Sequence, residues 1–280
     1  MITFADSNMV PQLKTIWHEA FGDDRRYIDF FYQNRFTSDN TLVWMHNGTP
    51  AAMMTLLPAT LQTDDGLRPV RYVYGVATKQ EYRGRGMSSA LIRHANNLAD
   101  EKDEALILVP SSDGLFDFYQ RNGYRTVFFL KHLMQASELN AVSQSPEYAT
   151  FNLDARQYKA LRDHRFAGAG YLIWDDAAID YCLREHILTG GRCTKIVYDN
   201  QAYAALYHTI DKTLFVKETT LRDHCLVPIL SDLARRHGCK QIHVRLPESS
   251  GIALPGKPFG MLYAKKPYQA LQPYLNLVLD

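Results

Sequence analysis

Residues 70–99 read VRYVYGVATKQEYRGRGMSSALIRHANNLA, and the rest of the chain is organised around them. The stretch opens as a β-strand. Val70, Tyr72, Tyr74 and Val76 alternate with Arg71, Val73, Gly75 and Ala77, and β-branched and aromatic residues dominate. A polar, glycine-rich turn over 79–86 ends the strand, and Met87, Ala90, Leu91 and Leu98 then recur at helical spacing. Strand, glycine turn, helix is an arrangement that holds phosphate: the free N–H groups of the helix start point at the anion, the helix dipole adds partial positive charge, and glycine admits close backbone approach. Arg83 and Arg85 add full charges whose forked donors match phosphate oxygens. The stretch is not a dinucleotide fingerprint, because Gly84 and Gly86 are followed by Ser89 where a third glycine is needed. No Gly-Lys-Ser/Thr closes it as a P-loop either.

The 280 residues suit one large or two ordinary domains, and 46% hydrophobic with 22% charged residues suffices for substantial cores. With a net charge of +1 and no basic block, nucleic acid and an anionic membrane are not expected as partners. No apolar run is long enough to span a bilayer, and residues 1–14 lack the basic start and apolar run of a signal peptide. Cys182, Cys193, Cys225 and Cys239 are scattered without Cys-x-x-Cys spacing, so neither a metal site nor a disulfide framework is expected. These features describe a cytoplasmic protein with reduced thiols.

Around the central stretch the pattern gives a short strand over 1–5, a helix opened by Pro11 with Leu13, Ile16, Trp17 and Ala20 as its apolar stripe, and a second helix after Gly22 capped by Asp23 or Asp24. The aromatic residues Tyr27, Phe30, Phe31 and Phe36 read as core. Strands over 41–46, 51–63 and 70–78 are separated by Asn47-Gly48 and Asp64-Asp65-Gly66. After the helix over 87–100, EALILVP at 104–110 reads as a buried strand. A further helix, capped by Ser111, Ser112 or Asp113, places Leu115, Phe118 and Tyr119 on one face and stops at Asn122-Gly123. A strand over 124–131 follows.

Glu81-Tyr82-Arg83-Gly84-Arg85-Gly86-Met87-Ser88 resembles the acyl-CoA pyrophosphate loop of the GNAT N-acetyltransferase superfamily, whose pattern is Gln/Arg-x-x-Gly-x-Gly/Ala. Arg83 and Gly86 match, and Ser88 stands where the family has glycine or alanine. GLFDFYQRNGYR at 114–125 resembles the family's second signature, and the order β-α-α-β-β-β-α-β-α-β is that of the GNAT fold. The resemblance covers residues 1–135. Residues 136–147 are polar and aperiodic, a linker. Residues 148–280 repeat the plan with helices over 154–165, 175–186 and 226–237, and strands over 194–200, 202–210, 213–219, 241–246 and 260–265. The counterpart of the loop, Thr219-Thr220-Leu221-Arg222-Asp223-His224, has no glycine, and Asp223 would repel phosphate. The expected fold is thus α/β with a mixed sheet: a GNAT domain followed by a degenerate GNAT-like domain. The tandem arrangement resembles the two-GNAT core of the enhanced-intracellular-survival type of acetyltransferase, with a chain too short for those enzymes' additional C-terminal domain.

The resemblance implies acetyl-CoA as the acyl donor. Backbone N–H groups of Arg83, Gly84, Arg85, Gly86, Met87, Ser88 and Ser89 would face the pyrophosphate. Val76, Ala77 and Thr78 would bond the pantetheine arm as an added partial strand, with a backbone N–H there polarising the thioester carbonyl. Tyr119 falls on the family's usual general acid, and a phenol of pKa about 10 can protonate a thiolate whose thiol titrates at about 8.5. The base stays open among a water relay, Glu19, Asp23, Asp24 or His46, and the C-terminal carboxylate. The partner expected is a small-molecule or peptide amine, which Asp23, Asp24 and Asp29 would attract if cationic, and the chain a monomer or homodimer. Two other readings are a non-catalytic acyl-CoA sensor or partner-binding module, and an aminoacyl transferase using charged tRNA. Near-neutral charge and the intact loop disfavour the last.

Overall fold

Asparagine, aspartate and glycine at the turns shape the local architecture, which is described for residues 1–137, 146–168, 170–266 and 273–277 of a computed structural model. Asn47 and Gly48 both take positive φ (48° and 78°) and close the hairpin between β2 (Thr41–His46) and β3 (Thr49–Thr63). Asp199–Asn200 and Asp211–Lys212 do the same for β9 (Arg192–Tyr198), β10 (Gln201–Ile210) and β11 (Thr213–Thr219). Pro11 sits in the first turn of α1 (Val10–Phe21), and Gly22 ends it in the left-handed region. Asp24 caps α2 (Arg25–Asn34) by accepting from the Tyr27 N–H at 2.7 Å. Asp154 and Asp175 cap α5 (Ala155–Phe166) and α6 (Asp176–Leu188) in the same way.

The chain forms two compact units, each drawn from separate stretches. The first comprises Met1–Leu61, Asp65–Val127 and Gly260–Tyr268; the second comprises Gln62–Asp64, Phe128–Phe259 and Gln269–Asp280.

In the first unit, β1 (Ile2–Phe4) pairs antiparallel with β2, and β2 with β3. Next in order come β4 (Gly66–Thr78), β5 (Ala105–Leu108) and the end of β13 (Lys257–Tyr263). The β4–β5 pairing is parallel, as the intervening helix α3 (Met87–Lys102) requires. α3 and α4 (Asp113–Arg121) cover one face, where Leu42, Met54, Val73, Leu91, Ile92, Leu106 and Tyr124 form a common core.

The second unit runs β6 (Arg125–Ala136), β12 (Gln241–Pro247), β11, β10, β9 and the edge strand β7 (Ala149–Asn152). The parallel pair β11–β12 flanks α7 (Asp223–Arg236), and the short β8 (Leu172–Ile173) follows α5. The plan repeats that of the first unit, with α7 in the place of α3. Residues 248–256, in the place of α4, form a turn, a bend and irregular chain.

Two strands take partners that the sequence pattern does not specify. The strand expected over 124–131 extends to Ala136 and pairs through Leu130–Ala136 with β12. The strand expected over 260–265 is β13, whose Met261–Tyr263 pair antiparallel with β5. Periodicity identifies a strand, whereas its partner is decided by which sheet edge its apolar face can cover. None of the four cysteines forms a disulfide.

The second unit carries a fully buried ion pair, Arg162 Nε to Glu218 Oε2 at 2.9 Å. Tyr158 and Tyr274 also donate to the Glu218 carboxylate, and the Arg162 guanidinium reaches the Tyr171 hydroxyl and the Leu172 carbonyl. Asn276 donates to the Lys217 carbonyl at 2.7 Å. These bonds fasten residues 273–277 into the unit.

Candidate active site

A cleft of about 460 Å³ opens in the first unit between the end of β4, the glycine loop and α4. Its strand wall is Val76 and Thr78; the side chain of Ala77 is buried away from it. β4 runs past its partner here. The parallel ladder ends at Tyr72↔Ile107, β5 stops at Leu108, and Pro110 cannot donate to a continuing ladder. Residues 73–78 therefore extend beyond the β5 ladder, at the position where an extended ligand could add as a partial strand.

The loop wall is Tyr82, Arg83, Gly84, Gly86, Met87, Ser88 and Ser89. Gly84 and Gly86 take φ of +75° and +77°, and a Cβ built on either meets nothing within 4 Å, so the backbone faces open space. Gly86 is the N-cap of α3, no side chain caps that end, and no acidic residue stands in its first turn. The leading N–H groups of a 16-residue helix are thus directed to the cleft with the positive end of the dipole. A pyrophosphate fits this cradle. The corresponding start of α7 is closed: Asp223 accepts from the Ser250 hydroxyl at 3.0 Å and from the Gly251 N–H at 2.6 Å.

The expected loop residues play different parts. The Arg83 N–H donates to the Gln80 carbonyl at 3.3 Å. Its guanidinium donates to the carbonyls of Thr78 (3.2 Å) and Glu19 (3.4 Å), strapping the loop to β4 and to the end of α1. Arg85 does not line the cleft; its guanidinium lies over the Tyr82 ring at 5.4 Å. Ser88, the departure from the family pattern, is hydrogen-bonded to the Thr78 hydroxyl at 2.8 Å, so its polar atom joins strand to helix.

The floor is Leu115, Phe118 and Tyr119, spaced i, i+3, i+4 on α4. Ser112 is the N-cap but makes no side-chain cap bond, and neither it nor Asp113 lines the cleft. Tyr119 is 7% exposed, and burial pushes its phenol up to about 12. Its ring meets Tyr124 edge-on at 5.7 Å, and Tyr124 is raised further by its own burial. Tyr82, Leu115 and Phe118 line the cleft without having been read as site residues. The shared face of 115, 118 and 119 was legible, but helical spacing alone does not distinguish a cleft floor from core.

The candidate bases are scattered. Asp23 accepts from the Trp17 indole at 2.7 Å, Asp24 is a helix cap, and Glu19 meets Arg83 through its carbonyl. The His46 ring lies 4.8 Å from that of Tyr82 and does not itself line the cleft. The C-terminal carboxylate lies outside the described residues.

Replacing Gly86 with valine should cost roughly 1–2 kcal/mol of backbone strain at a left-handed position. Titration calorimetry is expected to show CoA affinity reduced at least tenfold, with circular dichroism unchanged.

A family model described as "Acetyltransferase (GNAT) domain" matches residues 2–127. No curated protein matches the sequence. Among solved structures, a GCN5-related N-acetyltransferase from Anabaena variabilis is similar with a TM-score of 0.74 at 16% identity, over 94% of this chain and 72% of the other. A probable N-acyltransferase from Enterococcus faecalis gives 0.75 at 15% identity, over 94% and 72%. A tandem GNAT protein from the clavulanic acid biosynthesis pathway gives 0.54 at 15% identity, over 96% and 99%. Residues 2–127 are thus similar to a GNAT acetyltransferase domain, in a chain that shares its fold with tandem GNAT proteins.

Proposed function

We propose that the chain is an acetyl-CoA-dependent N-acetyltransferase acting on a primary amine by direct attack, with Tyr119 as general acid and with the second unit binding no cofactor. One observation carries this reading: a single cleft joins an uncapped helix start, an extended strand edge and a buried phenol.

Each part has a task. The N–H groups at the start of α3 hold the pyrophosphate, with Arg83 keeping the loop in place. Backbone groups of Val76, Ala77 and Thr78 hold the arm and polarise the thioester carbonyl. The amine nitrogen attacks the carbonyl carbon as the C–S bond breaks. The Tyr119 hydroxyl gives its proton to the leaving sulfur and recovers one from solvent. The amine's proton leaves by water relay. A phenol whose pKa is raised by burial stays protonated across the physiological range.

The test is acetyl-CoA consumption across a panel of amines, with Tyr119→Phe as control. Turnover with at least one amine is expected. Saturable binding with no amine acylated would favour the acyl-CoA sensor instead.

A further inference from the structure

We propose that Trp17 and Asp23 are positioning residues for the acyl end of the cleft. The Trp17 indole, held by the Asp23 carboxylate, braces a slip in β4 at Gly75 and so sets which backbone groups of residues 76–78 face the cleft. The inference rests on the acetyltransferase reading for its consequence, though not for its geometry.

The slip is visible in the side chains. Tyr72 and Tyr74 lie on the face covered by α1 and α2, since Tyr74 packs on Trp17 and Phe31 at 5.5 and 5.4 Å. Val73 belongs to the core on the opposite face, with α3. Strict alternation would place Val76 with Tyr72 and Tyr74. Instead Val76 packs on the same core as Val73, and Thr78 bonds to Ser88 of α3. The alternation moves by one between Val73 and Val76, and Gly75, at φ +61°, is the residue that absorbs it. All the residues proposed to contact the acyl arm follow this slip.

Trp17 is what Gly75 rests on. A Cβ on Gly75 would stand 3.3 Å from Trp17 Cζ3, closer than an ordinary contact. The indole is buried, packed against Phe31 at 4.6 Å, and its N–H donates to Asp23 Oδ2 at 2.7 Å. Asp23 is brought back to the indole by the left-handed Gly22 that ends α1. A hydrogen bond to a carboxylate is worth more than a neutral one, so this bond holds the ring's tilt. The helix that carries Trp17 also accepts the Arg83 strap through Glu19, so α1 supports both ends of residues 75–83.

The test compares Asp23→Ala, Asp23→Asn and Trp17→Phe by hydrogen exchange over residues 72–79, by calorimetric CoA binding, and by kcat with the best amine of the panel. In Asp23→Ala and Trp17→Phe, exchange at 75–78 is expected to rise and kcat to fall, each about tenfold, while CoA affinity falls less, by about threefold, because the strand contacts to the arm loosen and the pyrophosphate loop is untouched. Asp23→Asn keeps an acceptor for the indole and should return both readouts near wild type. Unchanged exchange in both disruptive variants overturns the brace, whether or not CoA binds. Faster exchange with unchanged kcat overturns its role in positioning. A wild-type protein that binds CoA but acylates no amine defeats the acetyltransferase reading and this role with it, whereas the exchange data still report on the brace itself.

Discussion

Tyr119→Phe is expected to lower kcat by about 10²–10⁴-fold, the usual contribution of a positioned proton donor. CoA affinity should stay within about threefold, because the substitution removes one oxygen from the floor and leaves the loop intact. The pH dependence sharpens this expectation. Burial raises the phenol to about 12 in the folded protein, against an ordinary value of about 10. The neutral, donating form is therefore favoured by folding. Its contribution to stability is fully present below about pH 10 and is lost as pH rises through about 12. The kcat profile of the wild type should show no alkaline fall from this group below about pH 11. A Tyr119→Phe enzyme with wild-type kcat would remove Tyr119 from the mechanism while leaving the cofactor cleft as it is.

Arg162→Met should be the most destabilising single change in the second unit. It strands the Glu218 carboxylate at zero exposure, leaving it the hydroxyls of Tyr158 and Tyr274 among the described residues. Removing one partner of a buried pair costs about 3–5 kcal/mol. For a protein of this size that corresponds to a fall in melting temperature on the order of 10 °C. The guanidinium also satisfies the Tyr171 hydroxyl and the Leu172 carbonyl, which lose a donor in the same step. The double variant Arg162→Met/Glu218→Gln removes the stranded charge and is expected to recover at least half of the loss. Thermal melts of the three proteins decide this. A single variant melting within a degree or two of wild type would show that the pair is not what fastens residues 273–277.

Much of the site was written in short-range terms. The turn over 79–86 is legible because a sharp strand-to-helix turn needs glycine at left-handed positions, and Gly84 and Gly86 occupy them. The caps Asp24, Asp154 and Asp175 were legible for a similar reason, since capping is settled within three residues of chain. Where a feature depends on what lies across space, the sequence was silent. Arg83 reads as a phosphate ligand, yet its guanidinium is strapped to the Thr78 and Glu19 carbonyls, the latter 64 residues away. Trp17 and Phe31 read correctly as core, but nothing in the pattern told that Trp17 bears on Gly75.

By itself, then, the sequence determined the elements, their turns and caps, and the glycine loop, because backbone sterics and helix-end hydrogen bonds act over a few residues. Only the tertiary structure decided that β6 pairs with β12 and β13 with β5, that the face of Leu115, Phe118 and Tyr119 floors a cleft, and that β4 slips at Gly75. Those outcomes depend on which surfaces meet, and period-2 or period-3.6 patterning names the buried face without naming its partner. The loop over 79–86 reads as an anion site from its residues alone; the strand before it and the helix face opposite make it one end of the cleft for which acyl transfer is proposed.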